Sequence, residues 1–259
     1  MGARLFWRED PGPSEEAPVL LLSNSLAADI RMWDPQVKLL TQRYRLLRYD
    51  TRGHGRSDAP EGPYSFDMLV ADAIAVLDGL GVAKAAMMGL SLGGMTGLGV
   101  ALAHPGRLER LVCCDARADA PEAFVKSWDD RLSAVRRGGM QAILMATLDR
   151  WLVPDFRASN PATVGWVSEM ILGTPVAGWA GCVAALKGLS YLADLHRITI
   201  PTLFVVGAED AGAPPAVMRD MASRVPGSSL VEIPNAAHLP NLDNQPAFEE
   251  AIRGFLGLG

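Results

Sequence analysis

Ser91 sits in Gly89-Leu90-Ser91-Leu92-Gly93, and a serine flanked two residues away on each side by glycine suits a nucleophile on a tight strand-to-helix turn. The apolar run Ala85-Ala86-Met87-Met88 before it reads as a buried strand, and Gly93 to Ala103 after it as a helix of small residues. In such an elbow the serine takes a strained backbone conformation, so the flanking positions must lack a side chain that would collide with the turn. Gly89 and Gly93 meet that demand, and Gly94 lets the helix pack closer. A serine hydroxyl is a weak nucleophile until a base takes its proton, and the base needs a carboxylate to hold its tautomer. Four histidines are available. His54 lies in a loop upstream of the serine, His104 ends the helix that the serine begins, and His196 leads into Ile198-Thr199-Ile200-Pro201 as a solvated group would. His238 follows the strand-like Ser229-Leu230-Val231-Glu232-Ile233 and stands in a loop before the last amphipathic helix, where a base belongs. For the acid, Asp210 comes three residues after Gly207, which ends the apolar strand from Thr202, with Glu209 adjacent. Asp115, closing Leu111-Val112-Cys113-Cys114, is a second rival.

Acyl transfer also needs two backbone N–H groups aimed at the developing oxyanion. Leu92, the residue after the serine, offers one. The other is expected from the loop Ser23-Asn24-Ser25-Leu26-Ala27-Ala28-Asp29 that follows the strand Val19-Leu20-Leu21-Leu22. Together these pieces resemble the α/β-hydrolase superfamily over essentially the whole chain. For that loop the resemblance implies the N–H of Leu26, with Asn24-Ser25 taking the place of a His-Gly pair. In that superfamily the triad runs Ser, then Asp or Glu, then His along the sequence, an order that favours Ser91, Asp210 and His238. The resemblance narrows with Arg31-Met32-Trp33-Asp34-Pro35-Gln36, Tyr49-Asp50-Thr51-Arg52-Gly53-His54-Gly55-Arg56-Ser57, Gly62-Pro63-Tyr64-Ser65, Arg150-Trp151 and Gly178-Trp179-Ala180-Gly181-Cys182. With the Asn24-Ser25-Leu26 loop and the elbow, these look like 3-oxoadipate enol-lactonase. Two departures fall near the expected pocket. The family usually has Gly where this chain has Ala27, and Asn-Thr-Ala where it has Asp115-Ala116-Arg117.

The resemblance implies a serine hydrolase that opens a small lactone or ester of enol-lactone type in aromatic-compound catabolism, through an acyl-enzyme. The same triad would serve a carboxylesterase, another lactonase, or a hydrolase that breaks a carbon–carbon bond in a ring-cleavage product. A ligand-binding receptor of the same fold is the non-enzyme alternative. A lactone with a carboxylate arm needs a cation, and Arg117 and Arg150 are candidates by position. Ser25, Trp128, Trp151 and Trp179 are candidate substrate contacts. Arg52 belongs to a loop that reads as scaffold. No metal or organic cofactor is expected, since the cysteines and histidines lack ligand spacing and the glycines lack the order of a dinucleotide loop.

Composition agrees with a single-domain enzyme acting on a small molecule. With 29 acidic and 24 basic residues and a net charge of -5, the chain has no polybasic run to attract nucleic acid or an anionic membrane surface. Its three cysteines, two of them adjacent inside an apolar strand, read as reduced buried thiols, with Cys182 at most a pocket liner. The N-terminus lacks the apolar core of a signal peptide, so the cytoplasm is the expected compartment. The apolar composition leaves room for a homodimer.

To position these residues, strands are expected at 18-23, 44-49, 85-90, 108-114, 202-207 and 229-233, alternating with helices. Between the second and third, Leu69, Ala73, Val76, Leu77 and Leu80 recur at helical spacing and read as core. Such alternation implies an α/β fold, the α/β-hydrolase fold in the light of the resemblance, with a mostly parallel central sheet, helices on both faces and an inserted helical cap. The expected division is core over 1–117, cap over 118–196, which holds Trp128, Trp151, Trp166 and Trp179, and core again over 197–259.

Overall fold

The computed structural model describes residues 2–259. The sheet consists of β1 (Trp7–Asp10), β2 (Val19–Ser23), β3 (Arg45–Tyr49), β4 (Ala85–Leu90), β5 (Leu108–Cys114), β6 (Thr202–Gly207) and β7 (Ser229–Ile233). Their order is β1-β3-β2-β4-β5-β6-β7, with every pair parallel except β1 with β3. The six strands expected from the sequence are present. β1 went unforeseen because Trp7-Arg8-Glu9-Asp10 is short, charged and mostly exposed, which an edge strand tolerates and an apolar-run criterion passes over.

Strands β2, β4 and β6 are buried at every residue, as parallel strands covered on both faces must be. Helix α1 (Asp34–Leu40) follows β2, and α2 (Phe66–Gly79) follows β3. The Ser65 hydroxyl accepts the Met68 N–H to cap α2, whose Leu69, Ala73, Val76 and Leu77 are buried. The small residues of α3 (Leu92–Ala103) let it lie close against β2, β4 and β5.

After β5 come α4 (Glu122–Gly138), α5 (Leu144–Trp151), α6 (Pro154–Ser159), α7 (Pro161–Gly173) and α8 (Val176–Lys187), before the chain re-enters the sheet at β6. This insertion leaves and returns at one place. Asp119 bridges to Ser190, and the Tyr191 N–H donates to Ala118 O at 2.7 Å. Helices α9 (Pro215–Arg224) and α11 (Gln245–Leu256) pack against β6 and β7, with the one-turn α10 (Pro240–Asp243) between β7 and α11. Among the described residues no single helix is long and apolar enough to cross a membrane.

The inserted helices are seated by two backbones in contact. Gly178 of α8 meets Gly53 in the loop after β3, and a Cβ on Gly178 would lie 2.2 Å from Gly53 O. That loop is rigid in its own right. The buried Arg52 guanidinium pairs with Asp72 of α2 at 2.5 and 2.6 Å, while the Asp50 carboxylate accepts the N–H groups of Ile30 and Arg56. Arg52 is therefore scaffold, as its motif suggested.

Gly178→Ala is expected to cost about 1–3 kcal/mol, because overpacking against backbone has no flexible side chain to yield. Gly165→Ala, at an exposed position of α7 with open space around it, is expected to gain about 0.5–1 kcal/mol. Urea unfolding of both variants checks the contrast; equal effects would dismiss the contact.

Candidate active site

Ser91 has φ 55° and ψ -115°, outside the regions that an L-residue prefers. A Cβ on Gly89 would lie 2.2 Å from Gly93 O, and one on Gly93 would lie 2.1 Å from Ser23 O, so the elbow forms only with glycine at both places. Ser23 pairs with Gly89 in the sheet, which sets the loop after β2 beside the elbow. Strand order reverses at this β2–β4 junction, where open α/β sheets leave a crevice at the carboxyl ends of their strands.

That crevice is the mouth of a cavity of about 440 Å³ lined by Ser25, Leu26, Ser91, Asp210 and His238 on the sheet side. The inserted helices contribute Trp128, Arg131, Arg150, Trp151 and Trp179. Leu26 and Leu92 are buried, and neither N–H has an acceptor among the described residues. The loop carrying Leu26 is fixed by Asn24, whose side chain donates to Tyr49 O at 2.9 Å and accepts Trp33 Nε1–H at 3.1 Å. The Ser25 hydroxyl is buried without a partner.

His238 Nδ1–H donates to Asp210 Oδ2 at 2.8 Å. Burial by itself would raise the Asp210 carboxyl, but the charge and hydrogen bond of His238, with the N–H groups of Gly212 and Ala213, hold it below the ordinary carboxylate value. Of the three carboxylates weighed from the sequence, Asp210 is the one that holds the ring. Glu209 is exposed, and Asp115 accepts the Gly207 N–H at 2.8 Å. The loop bearing His238 is tied to the inserted helices: Leu239 N–H donates to Trp151 O, and the Asp243 carboxylate accepts from both Ala237 and Val153. The other candidate bases lie elsewhere, His104 and His196 at the surface and His54 in the core.

His54 has a structural task that its position in the sequence concealed. Its Nε2 accepts the Ala27 N–H at 2.9 Å, and Nδ1–H donates to Arg52 O at 3.1 Å. The ring thus braces Ala27, which has φ 62° where glycine would be unstrained. Complete burial pushes its pKa down to about 4, so it is neutral.

The cation candidates divide. Arg117 lines the cavity but pairs with Asp119 at 3.3 Å and lies over the Phe124 ring. Arg150 lines it with no ion-pair partner among the described residues, and so does Arg131, which stacks on Trp128 and was not singled out from the sequence. Burial, and then the charge of Arg150, bring the Arg131 guanidinium down to about 10, and burial also lowers Arg150. The available signal for Arg131 was its place one helical turn after Trp128 on α4. Cys182 is buried beneath the cavity wall, 3.9 Å from Arg52 O, and does not line the cavity.

The chain matches the family model for the alpha/beta hydrolase fold over residues 18–245. It belongs to that family. It is 33% identical to 3-oxoadipate enol-lactonase 2 of Acinetobacter baylyi, over 93% of this chain and 89% of that protein. A Caulobacter segnis protein carrying a carbamate-hydrolase name is 30% identical, over 92% of this chain and 91% of its own. The crystal structure of the enol-lactonase from Burkholderia xenovorans LB400 superposes with a TM-score of 0.94 at 35% identity, covering 98% of this chain and 97% of that one. Family membership and the cavity geometry together make the protein a hydrolase of ester-type bonds.

The buried neutral ring of His54 has a consequence for acid stability. Between pH 6.5 and about 4 the unfolded chain binds a proton that the native state refuses, so this contribution is full above 6.5 and falls by about 3 kcal/mol as pH drops through that window. In urea titrations His54→Gln, whose side-chain oxygen can still accept from Ala27, should lose less stability than wild type between neutral pH and about 4.5. Parallel losses would remove His54 from the account.

Proposed function

We propose that the protein opens a small lactone bearing a carboxylate, of the 3-oxoadipate enol-lactone type, by acyl transfer to Ser91. One observation carries the reading: a single cavity has Ser91 and the His238–Asp210 pair on its sheet side and two unpaired arginines, Arg131 and Arg150, on its helical side. An unpaired guanidinium in a partly buried site is costly unless an anion completes it, and its planar fork matches a carboxylate in two hydrogen bonds. The names of the enol-lactonase relatives support the same substrate class.

In this mechanism His238, oriented by Asp210, takes the Ser91 proton as Oγ attacks the lactone carbonyl. The N–H groups of Leu26 and Leu92 receive the oxyanion, and neither must break another hydrogen bond to do so. Collapse breaks the ring C–O bond, His238 returns the proton to the leaving enol oxygen, and the enol becomes a ketone. Water activated by His238 then frees Ser91. Segment 118–196 acts as the cap in this reading. Trp128, Trp151 and Trp179 exclude water from the carbonyl, and the arginines orient the substrate through its carboxylate. Ser25, with its unpartnered hydroxyl in the cavity, is a further substrate contact. The reading includes a cytoplasmic location and a role in aromatic catabolism.

Ser91→Ala is expected to stay folded and lose several orders of magnitude in turnover. A fluorophosphonate that labels wild type but not this variant separates an enzyme from a receptor of the same fold, for which no labelling is expected. Arg131→Gln and Arg150→Gln should each raise KM for an enol-lactone acid by about tenfold or more, with little change for a neutral aryl ester. A turnover panel of enol-lactone acid, saturated lactones, aryl esters, carbamates and vinylogous diketones decides the substrate class. Aryl esters or carbamates preferred by orders of magnitude in kcat/KM would refute the lactone.

A further inference from the structure

Asp115 is the buried titratable group that this mechanism leaves unused. It follows β5 with a left-handed backbone, φ 46°, and its buried side chain is among those that line the cavity. Oδ1 accepts the Gly207 N–H at 2.8 Å, whereas Oδ2 has no hydrogen-bond partner. A carboxyl oxygen of Asp115, one of Asp210 and a ring nitrogen of His238 all lie within 4.8 Å of one another. Two ionised carboxylates at that separation in a dry site repel strongly, and one of them keeps a proton.

The surroundings decide which one. Asp210 receives His238 Nδ1–H and the N–H groups of Gly212 and Ala213, all of which favour its charge. Asp115 receives one N–H and has no ion-pair partner among the described residues. The titratable groups around it are Asp210 after β6, His238 after β7, Asp243 on α10, and Cys113 and Cys114 of its own strand. Only His238 among them carries positive charge when protonated, and its Nδ1–H is already given to Asp210.

We propose that Asp115 is a positioning residue that keeps its proton at neutral pH and donates it from Oδ2 to Asp210. This rests on the reading of Asp210 and His238 as the acid and base of the triad. Burial first, then the charge of Asp210, push the Asp115 carboxyl well above the ordinary carboxylate range. The donated hydrogen bond satisfies the orphaned oxygen, draws charge from Asp210 and fixes the orientation in which its other oxygen meets His238. A less basic Asp210 stabilises the imidazolium less, and loss of the donated hydrogen bond would strengthen that stabilisation.

Infrared difference spectra near pH 8 should show the C=O stretch of a protonated carboxyl, shifted in deuterium oxide and lost in Asp115→Asn. Absence of the band in wild type, or its persistence in that variant, overturns the proposal. In kinetics, Asp115→Ala should lower kcat by about tenfold or more with little change in KM, and move the acid limb of kcat/KM upward. Asp115→Asn, which keeps a neutral donor and an acceptor for Gly207, should recover most of the activity and lack an alkaline limb due to ionisation at this position. An Asp115→Ala enzyme with a wild-type pH profile would reduce Asp115 to a packing role. Full activity in Asp210→Asn would instead defeat the triad reading, and the infrared band would still report the proton on Asp115.

Discussion

The close approach of Gly93 to the Ser23 carbonyl is the contact on which the site depends. Because the elbow can sit against the end of β2, the turn after β4 and the loop after β2 come side by side, and Leu26 and Leu92, whose N–H groups have no acceptor among the described residues, lie on the two. A side chain at Gly93 would separate them. The strain at Ser91 is held by the same arrangement, since its N–H donates to Cys114 O on β5 and its carbonyl accepts from Met95 on α3. The strained Ser91 and the loop that faces it are thus consequences of backbone packing.

The remaining groups are positioned by electrostatics around the cavity. Asp210 stays charged because three donors converge on it, and Asp115 beside it has one. On the helical side, Arg131 and Arg150 repel each other across the cavity wall while their scaffold counterparts, Arg48 and Arg52, are fully paired with Asp10, Asp34 and Asp72. The contrast separates arginines paired within the scaffold from two arginines at the cavity with no ion-pair partner among the described residues, in a chain whose net charge is -5.

Much of this was legible in the residues. Ser91, Asp210 and His238 could be placed because each stands just beyond a strand, where apolar runs give way to glycine and polar residues. Strands β2 to β7 were visible for the same reason. Arg131 was not, because helical periodicity marks a face without saying what that face meets. His54 was set aside as a base on chain order, and its hydrogen bond to Ala27 joins residues 27 apart in sequence through the meeting of two loops. That contact also gives Ala27 a meaning: where the enol-lactonase pattern has glycine, this chain holds an L-residue at positive φ with a buried imidazole.

By itself the sequence determined the chemistry on offer: a serine on an elbow, a downstream carboxylate and histidine, and a tryptophan-rich segment between β5 and β6. These are local properties, fixed by glycine spacing, hydrophobic periodicity and chain order. Only the tertiary structure shows that Asp210, and neither Glu209 nor Asp115, bonds to His238, and that Arg117 has an ion-pair partner where Arg131 and Arg150 have none among the described residues. Those choices turn on which polar groups find partners in the folded interior. A partner brought from a distant strand or helix, such as Asp210 for His238 or Asp72 for Arg52, leaves no trace in the residues on either side of it.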